Sequence, residues 1–294
     1  MTLGSLASVE LLKGRILYGS LTASGSRYRI GVCDWMLLQR QTLRAISLAA
    51  ELGAQGLEVD MGPLGQRETF QNALADPDFR ASFLETARQH NITLCSLAMS
   101  AFYAQSFVER PSVPRMVEDA LQTAMALGIR VLFLPLGVPC DLVARPELRP
   151  SVVARLREIA GAVEAARVVL GIETSLPAAE EIQLLDEVGS AAVRSYFNFA
   201  QAMKHRRNLI TELETLGAQR LIQIHASNED GLRLPEDPSL DLPRIKQTLD
   251  RMGWSGWLVV ERSRDARKPR DLHHNYATNI GWLKQIFQRS SEAS

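Results

Sequence analysis

The chain lacks the features of disulfide-rich secreted proteins, thiolate metal sites and membrane spans. Its three cysteines, Cys33, Cys95 and Cys140, form no CxxC pair, which is typical of small core side chains in a reducing compartment. Apolar runs are all much shorter than a membrane-spanning helix. The first 25 residues do not place a basic segment before an apolar one, so no signal peptide is predicted. We therefore expect a cytoplasmic protein with no membrane partner.

An excess of one charge is also missing, since Lys and Arg together number 33, as do Asp and Glu, and the formal net charge is zero. This balance argues against nucleic acid as a partner. Hydrophobic residues make up 46% of the chain, which suffices for one large core. A linker rich in Pro, Gly or Ser is absent after residue 26. We expect an N-terminal extension over 1–26 and a single domain over 27–294.

Strand-like and helix-like segments alternate along that domain. Strands are predicted at 28–33, 56–60, 92–98, 130–134, 168–174, 193–198, 221–225 and 257–261. Helices are predicted at 40–52, 77–90, 115–127, 151–167, 178–188, 202–216, 242–252 and 272–287. Eight βα units favour the α/β class and a (β/α)8 TIM barrel. A doubly wound open sheet is the alternative, but GxGxxG does not follow the first strand.

The stretch VVLGIET, residues 168–174, indicates where chemistry occurs. Its β-branched residues predict a buried strand that ends on a carboxylate, Glu173. A charge at the tip of a buried strand is costly unless it is paired or bound to a metal. The next three predicted strands also end on polar groups, Asn198, His225 and Glu261. These four side chains are predicted to hold one divalent ion, such as Mn²⁺, Mg²⁺, Co²⁺ or Zn²⁺.

At these residues the chain resembles a known family. The segments GIET, YFNFAQA, IHASN and GWSGWLVVERS are similar to the sugar phosphate isomerase/epimerase family, which has a xylose-isomerase-like TIM barrel. The resemblance runs from about Arg27 to Phe287 and implies a metal-dependent enzyme whose partner is a small-molecule sugar. Whether the protein forms a homo-oligomer is left open.

The resemblance also implies a ligand set of Glu, Asp, His and Glu. Glu173, His225 and Glu261 match this set, but Asn198 stands where Asp is usual. A second acid usually follows the His by three residues, and here that position is Asn228. Replacing Asp by Asn removes one negative charge from the ligand set. We expect weaker metal binding and stronger polarisation of a substrate oxygen.

Five residues are expected to contact the substrate: Trp35, Glu58, Asn228, Arg262 and Arg264. Trp35 follows the first strand and would stack on a sugar ring or pack in the core. Glu58 and Asp60 end the second strand, and of the two Glu58 would face the mouth and bind a hydroxyl group or form a structural salt bridge. Arg262 or Arg264 would hold a phosphate or carboxylate, although such a basic run is usually a solvated face.

A long loop after the third predicted strand carries three further aromatic residues, Phe102, Tyr103 and Phe107. They are expected to form a lid over the barrel mouth or to bury a contact between subunits.

Glu173 and Glu261 are the predicted bases. One would remove the proton next to a carbonyl and the other would return it from the opposite face, which gives epimerisation or isomerisation. A keto-sugar lyase or dehydratase on the same site is an alternative, as is a non-catalytic sugar-binding barrel with a degraded metal site. An endonuclease-IV-like phosphodiesterase would need more His ligands, whereas the chain has five His and only one ends a strand.

Overall fold

The computed structural model describes residues 26–64 and 67–289. In this part of the chain, eight parallel strands close into a barrel in sequence order. The predicted (β/α)8 barrel is therefore confirmed. Residues 1–25 of the predicted extension lie outside the described residues. Of the helices that are described, none has both the length and the apolar character needed to cross a membrane.

The barrel strands are β1 Tyr28–Cys33, β2 Gly56–Asp60, β3 Thr93–Ala98, β4 Val131–Pro135, β5 Val169–Glu173, β6 Val193–Asn198, β7 Leu221–His225 and β8 Gly256–Val260. The α-helices are α1 Leu43–Glu51, α2 Pro77–Gln89, α3 Val113–Leu127, α4 Arg149–Ala165, α5 Ala178–Val188, α6 Phe199–Lys204, α7 Leu209–Leu216, α8 Leu242–Met252 and α9 Leu272–Phe287. Short 3-10 turns occur in four of the connecting loops, including Ser100–Tyr103 after β3.

The prediction of a single helix over 202–216 is wrong, because the structure has two helices there, α6 and α7. Arg206 interrupts them with a φ of 54°, a left-handed conformation that a continuing α-helix does not allow. The side chain of Asn208 then accepts hydrogen bonds from the backbone N–H groups of Ile210 and Thr211 and caps α7. Helix α6 begins directly after β6, so its first turn lies at the barrel mouth.

Two apolar layers hold the barrel together. The larger lies between the strands and the surrounding helices, and the smaller fills the barrel interior. Trp35, Phe133, Tyr196 and Trp257 are the largest side chains of the interior layer. At the amino end of the strands, the guanidinium of Arg29 lies 4.3 Å from the ring centre of Trp257. The interior is thus a packed core and not a channel.

Gly56 is required by this packing. A Cβ atom at Gly56 would lie 2.5 Å from the ring of Trp257, which is buried. We predict that Gly56→Ala lowers the free energy of unfolding by about 1–3 kcal/mol, because the indole must shift within a filled core. Urea denaturation followed by circular dichroism measures the change.

Gly161→Ala is the matched control, since Gly161 is exposed within α4 and a Cβ there meets no atom within 4 Å. It should raise the free energy of unfolding by about 0.5–1 kcal/mol through helix propensity alone. Equal effects of the two substitutions would contradict the packing argument.

Candidate active site

The four residues predicted to share an ion lie together at the carboxyl ends of β5 to β8. Glu173, Asn198 and His225 are the last residues of β5, β6 and β7, and Glu261 directly follows β8. The side-chain amino group of Asn198 donates to Glu173 Oε2 at 2.9 Å and to Glu261 Oε2 at 3.3 Å. Nδ1 of His225 lies 3.5 and 3.7 Å from the same two oxygens. Their roles in metal binding and catalysis stay predictions.

A buried polar network contacts Nε2 of His225, the ring nitrogen that does not face Glu173 and Glu261. Nε2 of His225 lies 2.8 Å from Oε1 of Glu58, and both side chains are fully buried. The other carboxylate oxygen of Glu58 accepts hydrogen bonds from Ser96 at 2.5 Å and Tyr196 at 2.7 Å. The strand register shifts at Leu57/Glu58 in β2 and at Ser195/Tyr196 in β6, next to these groups. Glu58 therefore contacts His225 rather than the mouth of the barrel.

This network sets the charge of the imidazole. Burial lowers the pKa of His225, but the negative charges of Glu58 and Glu261, with hydrogen bonds that the imidazole donates to Glu173 and Glu58, raise it to about 10. The surrounding carboxylates therefore favour the protonated imidazole, and a cation bound at Nδ1 would displace that proton. Burial raises the pKa of Glu261, and the charge of His225 opposes that rise.

Sequence reasoning missed two side chains that bind the carboxylates. The hydroxyl of Tyr103 donates to Glu261 Oε1 at 2.8 Å and to Glu173 Oε2 at 3.2 Å. Gln201 on α6 donates to Glu173 Oε1 at 3.2 Å. Neither residue ends a strand, because Tyr103 lies five residues after β3 and Gln201 three after β6. The pattern of strand ends could not have indicated them.

A cavity of about 300 Å³ opens above the carboxylates. Its lining includes Glu173, Asn198, Glu261, Tyr103, Gln201, Lys204 and Arg262. The lining is therefore rich in charged groups, with four carboxylates, those of Asp141, Glu173, Glu229 and Glu261, and two cationic side chains. Such a cavity can bind a small polar molecule with several hydroxyl groups.

Arg262 is the one substrate-binding prediction that the structure places in the lining of this cavity. Arg264 instead forms a two-pronged ion pair with Asp230, with its Nε 3.0 Å from Oδ1 and Nη2 2.5 Å from Oδ2. Its guanidinium is committed to the loop that follows β7. Two arginines separated by one residue thus have different surroundings, which their spacing alone could not distinguish.

Trp35 and Asn228 are buried and do not line the cavity. The ring of Trp35 stacks on Phe133 with a centroid distance of 6.5 Å and lies edge-on to His225 at 6.3 Å. Asn228 is buried, and its amino group donates to Asp237 at 2.7 Å. Their predicted contacts with substrate stay predictions.

The aromatic loop after β3 does not form the expected lid. Phe102 and Phe107 are fully buried, and their rings pack edge-on at 5.9 Å, with Phe70 against Phe102 at 6.2 Å. These rings fill the core, because apolar side chains of this size are most stable away from water. Only Tyr103 reaches the site.

The donor atoms test whether a divalent ion fits. Nδ1 of His225 and one oxygen each from Glu173 and Glu261 converge, and their 3.5 and 3.7 Å separations are near the ~3–3.5 Å between neighbouring ligands of one ion. Two carboxylates and an imidazole suit such an ion. Asn198 presents nitrogen to this point, because its oxygen accepts from the Ala200 N–H at 2.9 Å. Three of the four side chains are therefore of a chemical type that binds a cation, whereas Asn198 presents a nitrogen. Within the described residues, no three His, Cys, Asp or Glu side chains are already arranged as a metal site.

Comparison with known proteins agrees with this fold. A family model described as a xylose isomerase-like TIM barrel matches residues 46–286. The chain belongs to this family. The resemblance seen in the sequence is thereby confirmed.

Among xylose isomerase-like relatives, a 2-epi-5-epi-valiolone 7-phosphate 2-epimerase from an Actinoplanes species is 32% identical over 168 residues. That match spans 56% of this chain and 60% of the relative, less than two thirds of its length. The D-psicose 3-epimerase of Clostridium cellulolyticum H10, solved with D-tagatose, superposes with a TM-score of 0.71 at 16% identity, covering 88% of this chain and 99% of that one. A 3-keto-D-glucoside 4-epimerase from E. coli superposes with a TM-score of 0.70 at 14% identity over 88% and 99%. Both superpositions show the shared fold.

Glu181 supports the end of β5 from the outer side of the barrel. It is buried on α5 and accepts a hydrogen bond from the Thr174 hydroxyl at 2.7 Å, next to Glu173. Burial raises the pKa of Glu181 to about 7 against the lowering effects of its hydrogen bonds and of Arg207.

This shift predicts a pH-dependent stability. A carboxyl group whose pKa is higher in the folded state stabilises the fold at low pH, and that contribution is lost as pH rises through about 7. Glu181→Gln removes the titration, so its free energy of unfolding relative to the parent should rise by on the order of 3 kcal/mol from pH 4 to pH 8. Urea denaturation at several pH values measures the difference. The exposed Glu180→Gln should show no comparable trend, and a flat difference for Glu181→Gln would refute the assignment.

Proposed function

We propose that this protein is an epimerase or isomerase that acts on a sugar, keto sugar or sugar phosphate by moving the proton next to a carbonyl. The observation that carries the proposal is a pair of buried carboxylates, Glu173 and Glu261, that line one polar cavity at the carboxyl ends of the strands. Function lies at this face of TIM barrels. The 32% identical relative is named as an epimerase of a cyclic phosphorylated ketone, which supports the same class of reaction here.

In the proposed mechanism, one of the two carboxylates accepts the proton from the carbon next to the carbonyl. The electron pair moves to the carbonyl oxygen, and the other carboxylic acid returns a proton to the opposite face of that carbon. Hydrogen bonds from Tyr103 hold both carboxylates in place. Because the pKa of Glu261 is raised, this carboxylate is a stronger base than an ordinary glutamate.

Glu173, His225 and Glu261 are the residues that would hold a divalent cation. When bound, the cation would supply positive charge to the substrate oxygens next to the reacting carbon. The negative charge of the two carboxylates, together with Glu58 behind the imidazole, supports a cation at this position.

Arg262 and Lys204 favour a phosphorylated substrate. Both line the cavity that contains the carboxylates, and guanidinium and ammonium groups bind phosphate well. The relative's substrate carries a 7-phosphate, which agrees with this choice. The partner is therefore proposed to be a small, phosphorylated polyhydroxy ketone.

Exchange of a carbon-bound proton tests the reaction. A panel containing 2-epi-5-epi-valiolone 7-phosphate, D-psicose and D-tagatose is incubated with the protein in D₂O, and deuterium next to the carbonyl is followed by NMR. We expect exchange with at least one compound, and Glu173→Gln and Glu261→Gln should each slow turnover by about 10²–10⁴-fold, because each loses one base. Glu180→Gln on the surface is the control. Exchange at the parent rate in both Gln variants would disprove their role as bases.

The phosphate contact has its own test. Arg262→Gln and Lys204→Gln should raise KM for a phosphorylated substrate by about tenfold with a much smaller change in kcat, since they remove binding present in both ground and transition states. The effect should vanish with the same substrate lacking its phosphate. The exposed Arg270→Gln, from the same loop as Arg262, should leave KM unchanged.

A further inference from the structure

Asn198 makes contacts in two directions from one amide group. Its oxygen accepts a hydrogen bond of 2.9 Å from the backbone N–H of Ala200, which caps α6. Its nitrogen donates to Glu173 and Glu261, at 2.9 and 3.3 Å. The side chain is 6% exposed, so water does not replace these partners readily.

The orientation of this amide follows from its neighbours. The N–H of Ala200 can only donate, so an oxygen must face it. The carboxylates of Glu173 and Glu261 accept, so a nitrogen suits them. Rotating the amide by 180° would place two donors against each other at α6 and leave the N–H unpaired in a buried position. Asparagine has one acceptor oxygen, and here the helix uses it.

We propose that Asn198 is not a metal ligand but a positioning residue that clamps the two carboxylates and caps α6. The proposal rests on the cation of the proposed function and changes how it is held. The oxygen of Asn198 faces α6 and the nitrogen faces the carboxylates, so the asparagine presents no acceptor to a cation between them, whereas aspartate could cap α6 with one oxygen and ligate with the other. A cation here would be held by Glu173, His225 and Glu261, without Asn198.

The clamp connects the helix to the base. Gln201, one turn into α6, donates to the second oxygen of Glu173, and Lys204 at the end of the same helix lines the cavity. Asn198 therefore fixes both the glutamates and the start of the helix that carries two further site residues. It also competes with a cation for the same carboxylate oxygens, since its amino group donates to Oε2 of each.

Replacing Asn198 by serine separates capping of α6 from contact with the glutamates or a cation. Its hydroxyl can still cap α6, but it is too short to reach the cation or the glutamates. Full-length parent, Asn198→Ser, Asn198→Ala and Asn198→Asp are stripped of metal and titrated with Mn²⁺ alone by calorimetry. Water-proton relaxation then counts the waters on bound Mn²⁺. Thermal unfolding checks that each variant folds, and the Ala variant, which lacks the cap, should melt a few degrees below the Ser variant.

The proposal expects Asn198→Ser to bind Mn²⁺ as tightly as the parent or more tightly, because a competing donor is lost and no ligand is removed. Asn198→Asp should bind at least about tenfold more tightly and carry one water fewer, since it adds a ligand. A tenfold or greater loss of affinity in Asn198→Ser, or an equal water count in the parent and Asn198→Asp, would overturn it. Absence of Mn²⁺ binding in all four proteins would overturn it too, while deuterium exchange by the metal-stripped parent would still report on the proposed epimerisation.

Discussion

Two carboxylates buried side by side are the constraint on which this site depends. Glu173 and Glu261 are each at most 3% exposed, and their charges would repel each other without compensation. The compensation comes from Tyr103, Asn198 and His225, which lie on three different βα units. Because no local segment contains more than one of these donors, the site exists only when the barrel closes.

The imidazole links this pair to the rest of the barrel interior. Nδ1 of His225 faces the two carboxylates. Its Nε2 contacts Glu58, which lies on the far side of the barrel. Tyr196 hydrogen-bonds to Glu58, and its ring also packs against Phe133 at 4.5 Å. The same side chains therefore fill the interior and orient the site, so packing and electrostatics are not separable here. A rigid interior of this kind suits a reaction that needs two bases at fixed positions.

Sequence patterns predicted the barrel well, because strand and helix periodicities are local properties and eight repeats of them allow few closed arrangements. The four polar strand ends were predicted for the same reason, since parallel strands carry their last residues to one face. The pattern was less informative between elements. It predicted one helix where Arg206 divides two, and it treated Phe102, Tyr103 and Phe107 alike, although only Tyr103 reaches the site.

What the sequence by itself determined is therefore the fold and the identity of the polar strand ends. The tertiary structure alone decided which atoms those residues present. Glu58 faces His225 instead of the mouth, Arg264 is paired with Asp230 while Arg262 lines the cavity, and Asn198 turns its nitrogen toward the glutamates. The physical reason is that hydrogen bonding is directional and these partners are distant in the chain. For Asn198, the partner that orients the amide is the backbone N–H of Ala200, only two residues away. This orientation matters for the site because the closed barrel brings two carboxylates to the nitrogen end of the same amide.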